Sequence, residues 1–78
     1  MNRRQLDCNY FAMVVYRRLN GEFVAQEKNG AETIEGARDI VKSRLSELPD
    51  DSGTRAVSGW VTDHEGRCYG QADRKGWL

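Results

Sequence analysis

Thr33-Ile34-Glu35-Gly36-Ala37-Arg38-Asp39-Ile40-Val41-Lys42-Ser43-Arg44-Leu45-Ser46-Glu47-Leu48 carries one apolar stripe at helical spacing. Ile34, Ala37, Ile40, Val41, Leu45 and Leu48 recur every three or four residues, which gathers them on one side of a helix over 33–48. Glu35, Arg38, Asp39, Lys42, Ser43, Ser46 and Glu47 fill the other side, an ordinary solvated face with weak Glu35–Arg38 and Asp39–Lys42 pairs. Thr33 is an N-cap residue, although Gly36 offers it no capping-box carboxylate. Pro49-Asp50-Asp51-Ser52-Gly53 ends the helix, since proline cannot continue it and glycine releases the backbone. A helix with one apolar stripe needs a second layer to cover it.

Strand pairs on either side supply that layer. Asn9 to Leu19 and Glu22 to Lys28 are joined at Asn20-Gly21, a dipeptide suited to a two-residue type I′ turn. That turn pairs Leu19 with Glu22, Arg18 with Phe23 and Tyr16 with Ala25. One face then collects Tyr10, Ala12, Val14, Tyr16, Phe23 and Ala25, and is the expected core face. The other collects Phe11, Met13, Val15 and Val24 among Arg17, Glu22, Gln26 and Lys28. An apolar centre with a polar fringe means a face that is half exposed or covered by a partner chain, a second copy of the protein included.

The second pair runs from Arg55 to Thr62 and from Arg67 to Ala72 around Asp63-His64-Glu65-Gly66. Asp63 at the first turn position and Gly66 at the last favour a type I turn closed by a glycine bulge, pairing Asp63 with Arg67. Trp60 then faces Gly70, with Ala56, Trp60, Cys68 and Ala72 on one side and Val57, Val61, Tyr69 and Gln71 on the other. A one-residue slip would exchange these faces, so the register is open. The expected fold is α+β: a small ββαββ domain, an antiparallel sheet with one helix packed on one face. Residues 1–78 form one domain, with 1–8 and 73–78 expected to be flexible and Trp77 either packed back or presented to a partner.

At 78 residues the chain buries only about 60% of its unfolded surface, enough for one shallow core. Twelve basic residues balance twelve acidic ones, so there is no global field to attract polyanions and no acidic excess of the kind a nucleic-acid mimic needs. Cys8, Cys68 and the single His64 cannot close a four-ligand zinc site, and no cofactor or metal is expected. Met1-Asn2-Arg3-Arg4 is not followed by an apolar run, so a cytoplasmic protein with reduced thiols is expected, a Cys8–Cys68 disulfide being the alternative. Tyr10 to Tyr16 is too short to span a bilayer, which takes about 20 residues.

Catalytic chemistry is not evident. His64 and Cys68 flank one turn without an orienting group, and Asp50-Asp51 reads as a loop. An arginine- and aromatic-rich binding surface is better supported: Arg17, Arg67, Tyr69, Trp60 and Trp77 are the candidate partner-binding residues, with Arg17, Arg67 and Tyr69 forming one patch if the two hairpins share a sheet. Trp60 and Phe11 have core packing as their alternative role. Sheet aromatics with arginines also stack the bases of nucleic acids, the competing use.

The short length, the absence of a catalytic set, a helix opening at Thr33-Ile34-Glu35-Gly36-Ala37-Arg38 and the tryptophan hairpin Gly59-Trp60-Val61 resemble small phage-encoded inhibitors of bacterial immunity, the anti-CRISPR-type proteins. The resemblance is one of format, over about residues 33–69, and carries no functional residue across. It implies a non-enzymatic protein-binding module that occludes a large host defence complex. The alternative is a β-sheet nucleic-acid-binding domain. Self-association through Phe11, Met13 and Val15 is compatible with either.

Overall fold

The helix begins where its cap requires. In the computed structural model, which describes residues 8–78, Thr33 Oγ1 accepts a hydrogen bond from the Gly36 backbone N–H at 2.9 Å, and α1 spans Ile34–Leu45. The backbone N–H and hydroxyl of Ser46 both donate to the Lys42 carbonyl, closing the last turn before Pro49 can clash with it. Leu48 therefore falls beyond the helix and is 86% exposed. Its expected place in the apolar stripe is corrected, while Ala37, Val41 and Leu45 are buried.

α1 covers one face of a five-stranded antiparallel sheet built from β1 (Tyr10–Arg18), β2 (Phe23–Ala31), β3 (Thr54–Asp63), β4 (Cys68–Asp73) and β5 (Gly76–Trp77). The strand order is β2-β1-β3-β4-β5, so the long strands β1 and β3 lie side by side at its centre. The core is Ala12 and Val14 of β1, Ala56 and Val61 of β3 and Ala72 of β4 beneath Ala37, Val41 and Leu45 of α1. Small residues let the layers close in: a Cβ on Gly59 would stand 2.8 Å from Val41 Cγ1 and 2.7 Å from the Met13 carbonyl oxygen. The thinnest dimension, 18 Å, accommodates two layers at the usual spacing of about 10 Å and no third.

Three bulges set the faces. At the first turn the Gly21 N–H donates to the Arg18 carbonyl and the Arg18 N–H to Glu22, and Gly21 alone takes positive φ, +94°. The turn is thus type I with a glycine bulge rather than type I′, which needs positive φ at both central residues. The resulting one-residue slip is undone by an extra residue, Val24, between the Arg17–Phe23 and Tyr16–Ala25 pairs. Tyr16–Ala25 is paired as expected, but Phe23 crosses to the Arg17 side, 55% exposed, instead of joining the core.

The second turn closes as expected, with Asp63 N–H to Arg67 O, Gly66 N–H to Asp63 O and Gly66 at φ +87°. Beyond it the register shifts between Thr62–Cys68 and Trp60–Gln71, at Tyr69-Gly70. Gly59 rather than Trp60 therefore shares a face with Ala72. On β3 itself Val57 is the extra residue between the Tyr16–Ala56 and Val15–Ser58 pairs, which separates Ala56 from Trp60. The expected grouping of Ala56, Trp60, Cys68 and Ala72 is corrected: Ala56 and Ala72 face the helix, Trp60 and Cys68 face away. The C-terminal segment is not loose either, since Trp77 pairs with Ala72 and Gly76 with Asp73, adding a fifth strand. Residues 1–7 of the other terminus lie outside the described residues.

Candidate recognition face

Alternation along β1 sends Tyr10, Ala12, Val14 and Tyr16 toward α1 and Phe11, Met13, Val15 and Arg17 to the opposite face. Met13 is paired directly with Trp60 on β3 and Phe11 lies opposite Thr62. Trp60 thus extends the β1 apolar row across the two central strands. None of the four apolar residues is fully buried, and no described element covers them. Beside Trp60 lies a recess of about 400 Å³ lined by Ser58, Cys68, Gln71 and Leu78.

Cations border this row. Lys28 Nζ sits 4.3 Å from the Phe11 ring centroid, within cation–π range, and the Phe11 and His64 rings meet edge-on with centroids 5.0 Å apart. Arg17 lies over Phe23 at 5.8 Å and donates to the Gly21 carbonyl at 2.9 Å. Arg17 is also the direct cross-strand neighbour of Arg55, a like-charge pairing that disfavours the sheet. The Arg55 Nε is buried without a hydrogen-bond partner. Among the described residues neither arginine nor Lys28 forms an ion pair.

Glu27, Asp63 and Asp50 are engaged elsewhere, whereas Asp73, opposite Ser58, faces the same side as Trp60 and lines its recess. Glu27 Oε1, on the helix side, accepts from the Tyr16 hydroxyl at 2.9 Å and from Arg44 Nε at 3.2 Å, tying β1, β2 and α1 together. Burial and the Glu27 contact push the Tyr16 phenol up to about 12. Partial burial opposes ionisation of Glu27, but the nearby Asn29 amide and the hydrogen bonds from Tyr16 and Arg44 outweigh it and hold the carboxyl below its ordinary value. Asp63 accepts from Tyr69 Oη at 2.7 Å and from the N–H groups of Glu65 and Arg67. The Tyr69 hydroxyl, chiefly, keeps its carboxyl low. Asp50 Oδ1 accepts from the Ser52 hydroxyl and the Ser52 and Thr54 N–H groups, which makes Asp50 the organiser of the α1–β3 loop.

The five residues singled out in the sequence are dispersed. Arg17 lies opposite Arg55, whereas Tyr10, seven positions earlier, lies opposite Asp63, so Arg17 is about 23 Å along the strand from the second turn. Arg67 stands in that turn, 2.7 Å from Glu65. Tyr69 packs on the helix side, edge-on to Tyr10 at 5.5 Å. The Arg17–Arg67–Tyr69 patch is not assembled. Trp60 faces away from the helix, while Trp77 packs on Gly70 beneath the Arg38 guanidinium, 4.2 Å from its ring. Sequence reading left Arg55 out of the site, because it set no register between β1 and β3, whose pairing is long-range.

His64 Nε2 is hydrogen bonded to the Cys8 carbonyl at 2.8 Å, and the Cys68 thiol donates to the Gly70 carbonyl at 3.6 Å. No group of three or more His, Cys, Asp or Glu side chains among the described residues is arranged to hold a metal ion. Among the described residues no helix is long and apolar enough to cross a membrane. No protein-family model, curated protein or solved structure matches the chain.

Proposed function

We propose that the protein is a non-enzymatic, cytoplasmic binding module whose recognition surface is the sheet face opposite α1. The observation that carries this reading is the continuous row of Phe11, Met13, Val15 and Trp60 across β1 and β3, uncovered by any described element. Large apolar side chains gathered on one exposed face mark interaction surfaces more often than isolated ones do. Immobilised protein should capture its partner from host extract; Met13→Lys should abolish capture, and Lys42→Glu on the outer side of α1 should leave it intact. Equal capture by Met13→Lys and wild type would reject the face.

Occlusion of a surface on a larger host assembly, a CRISPR-type defence complex being the case implied by the resemblance in format, is the second reading. The apolar centre at Met13 and Val15 favours it, because interface centres are depleted of charge.

A further inference from the structure

We infer that the sheet face opposite α1 binds single-stranded nucleic acid, with Phe11 and Trp60 stacking bases and Arg17, Arg55 and Lys28 meeting phosphates. This rests on the recognition face proposed above and names its occupant. The two aromatics stand on adjacent central strands, Phe11 opposite Thr62 and Trp60 opposite Met13, so their positions are offset along one surface as successive bases of a strand would be. Base stacking on aromatic side chains is the common device of sheet surfaces that bind single strands. The recess beside Trp60 is lined by the polar residues Ser58, Gln71 and Asp73, the side-chain types that hydrogen-bond a base edge.

Charge complementarity selects this occupant over the others. The protein has no net charge, but several of its carboxylates lie off this face. Glu22, Glu27, Asp63 and Glu65 are paired with cations or a tyrosine at the turns and under the helix, and Glu35 and Asp39 belong to α1. Arg17 and Arg55 are held side by side with no carboxylate in ion-pair range among the described residues. Arginines at directly paired strand positions are a like-charge pairing that a bridging phosphate offsets. Asp73, opposite Ser58 on β4, brings a carboxylate to this face, its Oδ1 accepting from the Lys75 N–H at 2.8 Å, against the three cations Arg17, Arg55 and Lys28. Self-association would set two such cation-rich faces against each other.

The test is fluorescence anisotropy of labelled oligothymidylate and oligouridylate titrated with the purified protein. Binding of either is expected, with affinity falling roughly 20-fold between about 50 and 200 mM salt if three phosphates are neutralised on a single strand. Arg17→Gln with Arg55→Gln should weaken binding and flatten the salt dependence. Phe11→Ala or Trp60→Ala should each weaken it about tenfold, whereas Trp60→Phe, which keeps a stacking ring and the fold, should bind nearly as wild type. Lys28→Gln, an exposed edge-strand change, gives the same test without disturbing the centre. Absence of oligonucleotide binding at low salt overturns the inference, as does binding indifferent to these variants or equally tight for duplex. If Met13→Lys abolishes capture of a protein partner while no oligonucleotide binds, the recognition face stands and its occupant is a protein instead.

Discussion

Met13 on β1 and Trp60 on β3 are direct cross-strand partners on the side of the sheet that α1 leaves bare. One position further along β3, Val61 is fully buried beneath the helix. The same strand therefore supplies the core and the recognition face in alternation, and changes at neighbouring positions should separate stability from binding.

The adjacent Gly59 gives the first prediction. A methyl group there would stand 2.7 Å from the Met13 carbonyl oxygen and 2.8 Å from Val41 Cγ1. The backbone cannot yield as a flexible side chain would. Gly59→Ala should cost about 1–3 kcal/mol, read as a lower urea midpoint; an unchanged midpoint would mean that the helix sits further from β3.

The helix terminus gives the second. Leu45 is 8% exposed and Leu48 86%, although both fit one apolar stripe in the sequence. Leu45→Ala should cost about 2–4 kcal/mol and lower Tm by at least about 10 °C in a domain of this size. Leu48→Ala should fall within about 0.5 kcal/mol of wild type. Equal losses would restore Leu48 to the core.

Much of this fold was legible because local signals agreed with each other. Thr33, the helical spacing through Leu45, and Gly66 at the second turn each specify their element without reference to distant residues. The bulges at Val24, Val57 and Tyr69-Gly70 were not legible. A bulge adds one residue to one strand, leaves no mark in apolar alternation, and turns every later side chain over. That is why Phe23 and Trp60 were assigned to the wrong neighbours while Ala12, Val14 and Tyr16, on the unbulged strand, were placed correctly. The candidate site was half legible: Phe11, Met13 and Val15 were read as a face, but its arginine pair depended on a β1–β3 register that no local signal sets.

The Tyr16–Glu27–Arg44 cluster gives the third prediction. Tyr16→Phe should remove about 1 kcal/mol of stability at neutral pH by leaving Glu27 one donor short. Because the folded-state phenol is raised to about 12, its stabilisation is complete below pH about 10 and is lost as pH rises from there toward 12. The gap between wild type and Tyr16→Phe should therefore narrow over that window. Glu27 works in the opposite sense: its lowered value means stability lost as pH falls through the folded-state carboxyl titration. A gap that stays constant above pH 10 would show that Tyr16 titrates like a free phenol.

The protein's two tryptophans lie on opposite faces, Trp60 beside Met13 and Trp77 beneath Arg38, so each reports on one side of the sheet. The decisive measurement is a ligand titration followed by intrinsic fluorescence in two single-tryptophan proteins, Trp77→Phe and Trp60→Phe, using oligothymidylate or, should a protein be captured, that partner's tryptophan-free fragment. With the uncovered face as the recognition surface, Trp60 emission should change saturably in Trp77→Phe and Trp77 emission should stay flat in Trp60→Phe. A saturable response from Trp77 with none from Trp60 would put the ligand on the helix side and contradict it.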